Sequence, residues 1–405
     1  MKNILIILSL VMSFAFAKAQ QLQAYIDESI ENNPKIQAFE LRYNIAEEKV
    51  SEANWIPNTE ISAGYFISEP ETRTGAQVAQ FSVRQMLPWF GTITARENYA
   101  NALAEAEYVE ITIAKRKLAL SVAQSYYQLY AIKAKQDVLE RNIGLLQTYE
   151  KLALTSVEVG NASAVDVLKL QIQQNELLQQ KELLQEEFLA EQSNFNNLLN
   201  RESVRQVQVV DSLIIPETDP LLDEAALTLN PELIKYDKLY ESIEQSELLN
   251  QRESSPVLGF GVNYLPVQER PDMNFSDNGK DILMPMVSLS IPLFDNRFKS
   301  RSRQNELRQQ EIESQKQQRL NVLESAFAKA KSLRNKARIS FDTQNKNLAR
   351  AKDAEEILLK NYETGTIDFN DVLDIQELQL KFQTQQIQAI QLYYVQSAYL
   401  NYLIN

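Results

Sequence analysis

The sequence predicts a mainly α-helical chain that carries membrane-type β-hairpins and is built from one unit used twice. Three observations predict it. Short motifs recur in the same order about two hundred residues apart, the signature of an internal repeat. Four segments alternate apolar and polar residues with a period of two, as strands with one apolar face must. Two stretches of more than sixty residues contain no proline, and such runs favour very long helices.

The repeat rests on three pairs. Asp27-Glu28 with Asn33-Pro34-Lys35-Ile36 recurs as Asp223-Glu224 with Asn230-Pro231-Glu232-Leu233. Met86-Leu87-Pro88-Trp89-Phe90 recurs as Ser290-Ile291-Pro292-Leu293-Phe294. Val159-Gly160 with Asp166-Val167-Leu168 recurs as Thr364-Gly365 with Asp371-Val372-Leu373. We therefore divide the chain into an export signal over 1–19, a first repeat over 20–221 with its β-hairpin at 58–90, and a second over 222–405 with its hairpin at 257–294.

The signal combines Lys2, the apolar run Ile4 to Phe16, and small residues at Ala17 and Ala19, so cleavage is expected near Ala19. The run is too short for a membrane helix, and no cysteine follows to take a lipid. Each repeat then reads helix, two strands, long helix, tight turn, helix. The leading helices are expected over 21–54 and 222–253. In the strands, Ile61, Ala63, Tyr65 and Ile67 oppose Ser62, Gly64 and Ser68, while Ala79, Phe81, Val83 and Leu87 oppose Gln80, Ser82 and Arg84. Leu258, Phe260, Val262 and Tyr264 oppose Gly259, Gly261 and Asn263, and Val287, Leu289, Ile291 and Leu293 oppose Ser288 and Ser290. Each segment approaches the roughly 9–11 residues that a tilted membrane strand needs. The polar loops Glu69–Gly75 and Pro266–Lys280 are then exposed tips. From Thr92 to Glu158 the only glycine is Gly144, and from Asn296 to Glu363 there is neither Gly nor Pro. At 1.5 Å per residue each run spans about 100 Å. Shorter return helices are expected over Ser163–Leu199 and Phe369–Leu403.

Composition removes several function classes. The chain has no His and no Cys, which excludes disulfides, zinc sites built on those ligands, and any imidazole-based triad. A net charge of −13 makes it a poor partner for nucleic acid. Nine glycines in 405 residues include no phosphate-cradling loop. No enzymatic activity and no cofactor are expected. Four strands, however, cannot sit in lipid as an open sheet, because every backbone group there needs a partner. Closure takes at least about eight strands, hence several chains; three chains supply enough strands for an open lumen lined by the polar faces.

The signal, the Asn-Pro helix starts, Ile291-Pro292-Leu293-Phe294-Asp295 and the two Gly-to-Asp-Val-Leu turns together resemble the TolC-type outer-membrane efflux proteins. Gln85-Met86-Leu87-Pro88-Trp89-Phe90-Gly91 is most similar to their heavy-metal cation efflux branch. The resemblance implies a homotrimer, in which a twelve-stranded β-barrel in the outer membrane of a Gram-negative bacterium continues as a long α-helical barrel through the periplasm. It implies a passive duct for small molecules or metal ions, working with a periplasmic adaptor (membrane fusion) protein and an inner-membrane pump of the RND or ABC type. Two alternatives remain at this point: an outer-membrane channel for type I protein secretion, or a soluble helical pore-forming toxin or adhesin.

By the same resemblance, Asp371 and Asp374 match the acids of a narrow periplasmic aperture, Asp166 matches the corresponding acid of the first repeat, and Tyr362 matches a residue that helps tie the aperture shut. Where the family often has Arg, this chain has Ile367, so a closing bond made there is missing. The turns Val159-Gly160-Asn161 and Thr364-Gly365-Thr366 are the expected adaptor contacts. A plainer role competes for the acids: Ser163 and Asp368 suit helix N-caps, and Asp166 and Asp371 suit first turns, where the helix dipole favours negative charge. Met273, Met284 and Met286 form a thioether cluster that is expected to pack rather than bind metal. Trp89, Phe90 and Phe294 are expected in an interfacial aromatic girdle.

Overall fold

A computed structural model describes residues 21–158, 163–272, 274–363, 366–367 and 369–404. The proposed signal over 1–19 therefore lies outside the described residues. Helix α1 covers 21–32 and α2 Pro34–Glu52; β1 (Glu60–Tyr65), β2 (Glu71–Thr72), β3 (Gly75–Gln77) and β4 (Ala79–Leu87) follow. Helices α3 (Thr92–Glu158) and α4 (Ala164–Leu198) complete the first half. The second half holds a 3₁₀ turn (Glu224–Leu229), α5 (Pro231–Glu253), β5 (Val257–Leu265), β6 (Val267–Gln268), β7 (Ile282–Ser290), α6 (Arg297–Glu363) and α7 (Phe369–Ile404). The repeat is visible in the lengths: α3 and α6 are both 67 residues, and α4 and α7 are 35 and 36.

The leading helix of the first repeat is broken where the sequence suggested continuity. Pro34 lacks an N–H and suits a first helical position, so α1 stops and α2 starts at Asn33, whose Oδ1 accepts from the Lys35 N–H at 2.9 Å. The Asn33 side chain also donates to the Leu198 carbonyl at 3.0 Å, capping the end of α4. Asn230 does the same for α7, donating to Leu403 O at 2.9 Å. The duplicated Asn-Pro motif thus repeats one hydrogen bond in both halves.

The chain forms two compact units that cut across the two sequence repeats. One comprises Phe39–Glu110 and Glu232–Gln318. It holds an antiparallel sheet in the order β1-β4-β5-β7. The register places Ile61 beside Val83, Val83 beside Val262, Phe81 beside Tyr264 and Phe260 beside Val287, all on one face. Ser82 meets Ser62 and Asn263, and Gly261 meets Met286, on the other. The alternation read from the sequence holds within the strands, but Ile67 and Ser68 lie beyond β1, and Ile291 and Leu293 lie beyond β7, which starts earlier, at Ile282. Gln85 is the polar exception on the apolar face, and it is satisfied at the strand end by the Pro57 carbonyl at 2.7 Å. Pro285 lies in the edge strand β7, where a missing donor costs least.

Two expectations are corrected here. β1 has six residues where β4, β5 and β7 have nine. The tip loops are not loops throughout: β2, β3 and β6 form a second, three-stranded sheet. It is pinned by Arg270, which reaches Glu71 and the Thr72 carbonyl, and by Gly279 N–H to Thr74 O at 2.8 Å. At the other end of the strands, Gly91 turns the chain with φ +80°, and the carboxylate of Glu253 meets Arg96 at 3.7 Å and Arg301 at 2.9 Å, tying the starts of α3 and α6 to α5.

The second unit comprises 21–38, 111–231 and 319–404. Its helices pack around apolar clusters, and an extended strap over 203–219 is laid across them. Val207, Val210 and Ile215 of the strap are buried. Its backbone is read by tyrosines: Gln208 N–H donates to Tyr25 Oη at 3.2 Å, Val210 N–H to Tyr126 Oη at 3.1 Å, Leu213 N–H to Tyr130 Oη at 3.1 Å, and Ile214 O accepts from Tyr394 at 2.6 Å. Burial pushes the Tyr126 pKa up to about 12, so this hydroxyl stays neutral. Asp219 ends the strap, accepting from Arg338 and, at 2.6 Å, from Tyr393, with Arg334 at 3.6 Å. No described helix is long and apolar enough to cross a membrane.

Candidate pore aperture at the helical turns

Helices α3 and α4 meet α6 and α7 around one apolar core at the turn end of the second unit. Leu139, Ile143, Leu146, Tyr149 and Ala153 line α3 at three- and four-residue steps; Val167, Leu170 and Leu177 come from α4. Phe369, Val372 and Leu373 open α7, and Tyr362 closes α6. The ring of Phe369 sits 4.9 Å from that of Tyr362 and 5.9 Å from that of Tyr149, both edge-on.

Val159, Gly160, Asn161, Thr364, Gly365 and Asp368 lie outside the described residues. Thr366 is described, and it finishes α6: its N–H and Oγ1 both donate to Asn361 O, at 3.0 and 2.8 Å. Asp166 is 9 % exposed and works as a cap. Its Oδ2 accepts from the Ser163 N–H at 3.2 Å, while Ser163 Oγ accepts from the Val165 N–H at 3.2 Å. Asp371 and Asp374 differ. One helical step apart on α7, both are exposed, while their neighbours Val372 and Leu373 face the core. The two exposed acids of α7 and the capping acid of α4 are thus separated in this chain.

Tyr362 is buried, with its ring in the core and its hydroxyl without a hydrogen-bond partner. Ile367 packs against the same core, so the position where the family often has Arg adds apolar contact here. Sequence reading missed a buried polar knot beside these residues. Tyr149 donates to Glu355 at 2.6 Å; Gln376 reaches both Glu355 and, at 3.2 Å, the Tyr149 hydroxyl; Gln379 donates to Glu355 at 2.7 Å. Burial first, and the bond to Glu355 second, push the Tyr149 pKa above its ordinary value, so it stays a donor. The knot joins α3, α6 and α7. Lys169 to Asn370, at 2.6 Å, adds a link between α4 and α7.

Met273 is outside the described residues; Met284 and Met286 lie on the polar face of the sheet. Met86, which sequence reading did not group with them, shares that face through Gly259, the partner of Ser288. The Met286 sulfur accepts from Asn263 Nδ2 at 3.5 Å. Among the described residues no group of three or more His, Cys, Asp and Glu is placed to hold a metal ion.

Residues 25–201 match the model of the outer membrane efflux protein family. This segment, under half of the chain, resembles that family. The fold agrees over nearly the whole length of the chain. It superposes on the outer-membrane channel OprN with TM-score 0.74 at 17 % identity, covering 95 % of this chain and 90 % of that one. For CusC, described by its transmembrane channel formation, the values are 0.77, 16 %, 95 % and 92 %. For VceC, an outer membrane protein of Vibrio cholerae, they are 0.74, 16 %, 95 % and 96 %. At these identities the likeness carries the fold. No curated protein matches the chain.

Proposed function

We propose that this chain is one subunit of a passive outer-membrane efflux duct, and that three copies close the channel. One observation carries the reading. The four-stranded sheet exposes Ile61, Phe81, Val83, Phe260, Val287 and Leu289 on a single face and ends in two free edges, β1 and β7. Such a sheet is stable only in lipid, and in lipid only when its edges are paired by further copies. The polar face, with Ser62, Ser82, Gly261 and Asn263, then borders water.

The exposed pair Asp371 and Asp374 forms the cation-attracting ring of the periplasmic mouth, where three chains bring six carboxylates together. The turns at 159–161 and 364–366 meet a periplasmic adaptor, which couples the duct to an inner-membrane pump of the RND or ABC type. No residue performs chemistry; the pump supplies energy and selects cargo.

Recovery from the outer membrane only with detergent, as an oligomer that conducts in planar bilayers, is the expected result; a soluble monomer would sink the reading. Asp371→Asn combined with Asp374→Asn should relieve block of single-channel current by divalent cations. Unchanged block would move the constriction elsewhere.

A further inference from the structure

Several polar groups go unanswered where β4 passes into α3. Thr92, the first residue of α3, is 3 % exposed, and its Oγ1 is buried without a hydrogen-bond partner. One turn on, along the same face, Arg96 buries an equally unpartnered Nη1. Its guanidinium sits over the Trp55 ring, 4.6 Å from the centroid, with Nε 3.7 Å from Glu253. The first-turn N–H groups of Ile93 and Thr94 have no backbone acceptor among the described residues. Buried donors without an acceptor are costly, and here several converge on a spot where the chain itself supplies none.

The second repeat shows what kind of acceptor suits this position. Phe90-Gly91-Thr92 corresponds to Phe294-Asp295-Asn296. There Asp295 sets its carboxylate at the start of α6, accepting from the Arg297 N–H at 2.9 Å and from the Arg297 guanidinium at 2.7 Å. Gly91, with φ +80°, has no side chain to do the same at α3. Instead Arg252 of α5 lies over the glycine, its guanidinium carbon 3.7 Å from where a Cβ would stand. The Arg252 side chain has no hydrogen-bond or ion-pair partner among the described residues. Glu253 is divided between Arg96 and Arg301, at 3.7 and 2.9 Å, so positive charge is in local excess in a chain of net charge −13. Every unanswered group is a donor, and two are cations. They suit an anion with several acceptor oxygens.

Position narrows the anion further. Trp55, Ile56 and Phe90 are exposed beside these groups, at the helix end of the strands whose apolar face lies in lipid by the reading above. We propose that the start of α3 binds the phosphate of an anionic phospholipid, through Thr92 Oγ1, the Arg96 and Arg252 guanidiniums and the free first-turn N–H groups. A helix N-terminus favours phosphate, and guanidinium donors match its oxygens. Arg252, long and unbranched, covers the buried donors and swings aside to join them as the headgroup enters. The acyl chains then lie along the apolar face of the sheet, past Phe90. The proposal rests on the membrane-duct reading and adds a lipid contact made by the first repeat alone, because Asp295 already fills the corresponding place in the second.

The test is thermal unfolding of the full-length protein, stripped of lipid in an uncharged detergent and titrated with dioctanoyl phosphatidylglycerol. Binding should raise the melting temperature saturably. Dioctanoylglycerol, with the chains but no phosphate, and inorganic phosphate, with no chains, should leave it unchanged at the same concentrations. Thr92→Val keeps the shape and deletes the hydroxyl. Without lipid it should melt at or above wild type, since it removes an unanswered group, yet its apparent Kd for the lipid should be about tenfold weaker. Arg252→Gln should weaken the lipid about as much. Equal protection by dioctanoylglycerol or by inorganic phosphate, a Thr92→Val protein that melts lower without lipid, or variants that bind like wild type would each overturn the site. All of these leave the duct reading standing, because that reading is decided by detergent extraction and conductance. A soluble monomer would overturn both.

Discussion

Asp219 shows how one carboxylate anchors a long extended segment. Burial pushes its pKa up, but the bonds from Arg338 and Tyr393 and the charge of Arg334 outweigh it and hold the pKa below the usual carboxylate value. A folded pKa below the unfolded one stabilises at pH above the unfolded value, about 3.9, and the gain is lost as pH falls through the folded value. The melting temperature of Asp219→Asn should therefore lie below wild type at pH 7, and the gap should close toward pH 3. A constant gap would show that charge is not the contribution. At Gly144, exposed in mid-α3, an added Cβ meets nothing within 4 Å. Gly144→Ala should stabilise by about 0.5–1 kcal/mol through lost unfolded-state entropy, measurable by thermal unfolding in detergent. Single residues were unevenly legible in the sequence. The Ser163–Asp166 cap is local, three residues apart, and could be read. The Tyr149–Glu355 bond joins residues 206 apart, and sequence does not fix the relative level of two helices.

At the scale of elements, the duplicated Asn-Pro motif was visible as a repeat, but its role was not. Asn33 and Asn230 each hold the carbonyl end of a return helix, and each removal to Ala should cost about 1 kcal/mol. The two sites hold different return helices, so the double variant should lose the sum of the two; a markedly larger loss would reveal coupling between the ends. The faces of the alternating strands were legible because period two survives any context that buries one face, but their ends were not: β1 stops at Tyr65 and β7 runs from Ile282 to Ser290. The tip sheet was missed because β2, β3 and β6 are only two or three residues long, too short for any periodicity. Its geometry still makes a sharp demand: at Gly75, φ is +133° and a Cβ would stand 1.9 Å from Gln268 O. Gly75→Ala should dismantle the small sheet and open residues 66–78 to protease on intact cells, while the main sheet persists.

For the whole molecule, the expectation of an oligomer rests on the four-stranded sheet. Four strands with an apolar face cannot close alone, and that argument needs no neighbour in view. What the sequence kept hidden was how the long helices register, as in the bond from Tyr149 to Glu355.

The tyrosine-held strap has a mechanical consequence. Between Val207 and Asp219 it is fastened in turn to α4 through Gln192, to α1 through Tyr25, to α3 through Tyr126 and Tyr130, to α7 through Tyr394 and Tyr393, and to α6 through Arg338. An extended chain fastened at that many points barely stretches, so it acts as a tie-bar across five helices. A sideways load on any one of them is shared by all at that height. The turn end lies beyond the reach of the strap and is held instead by the Tyr362–Phe369 core and the Tyr149–Glu355 knot.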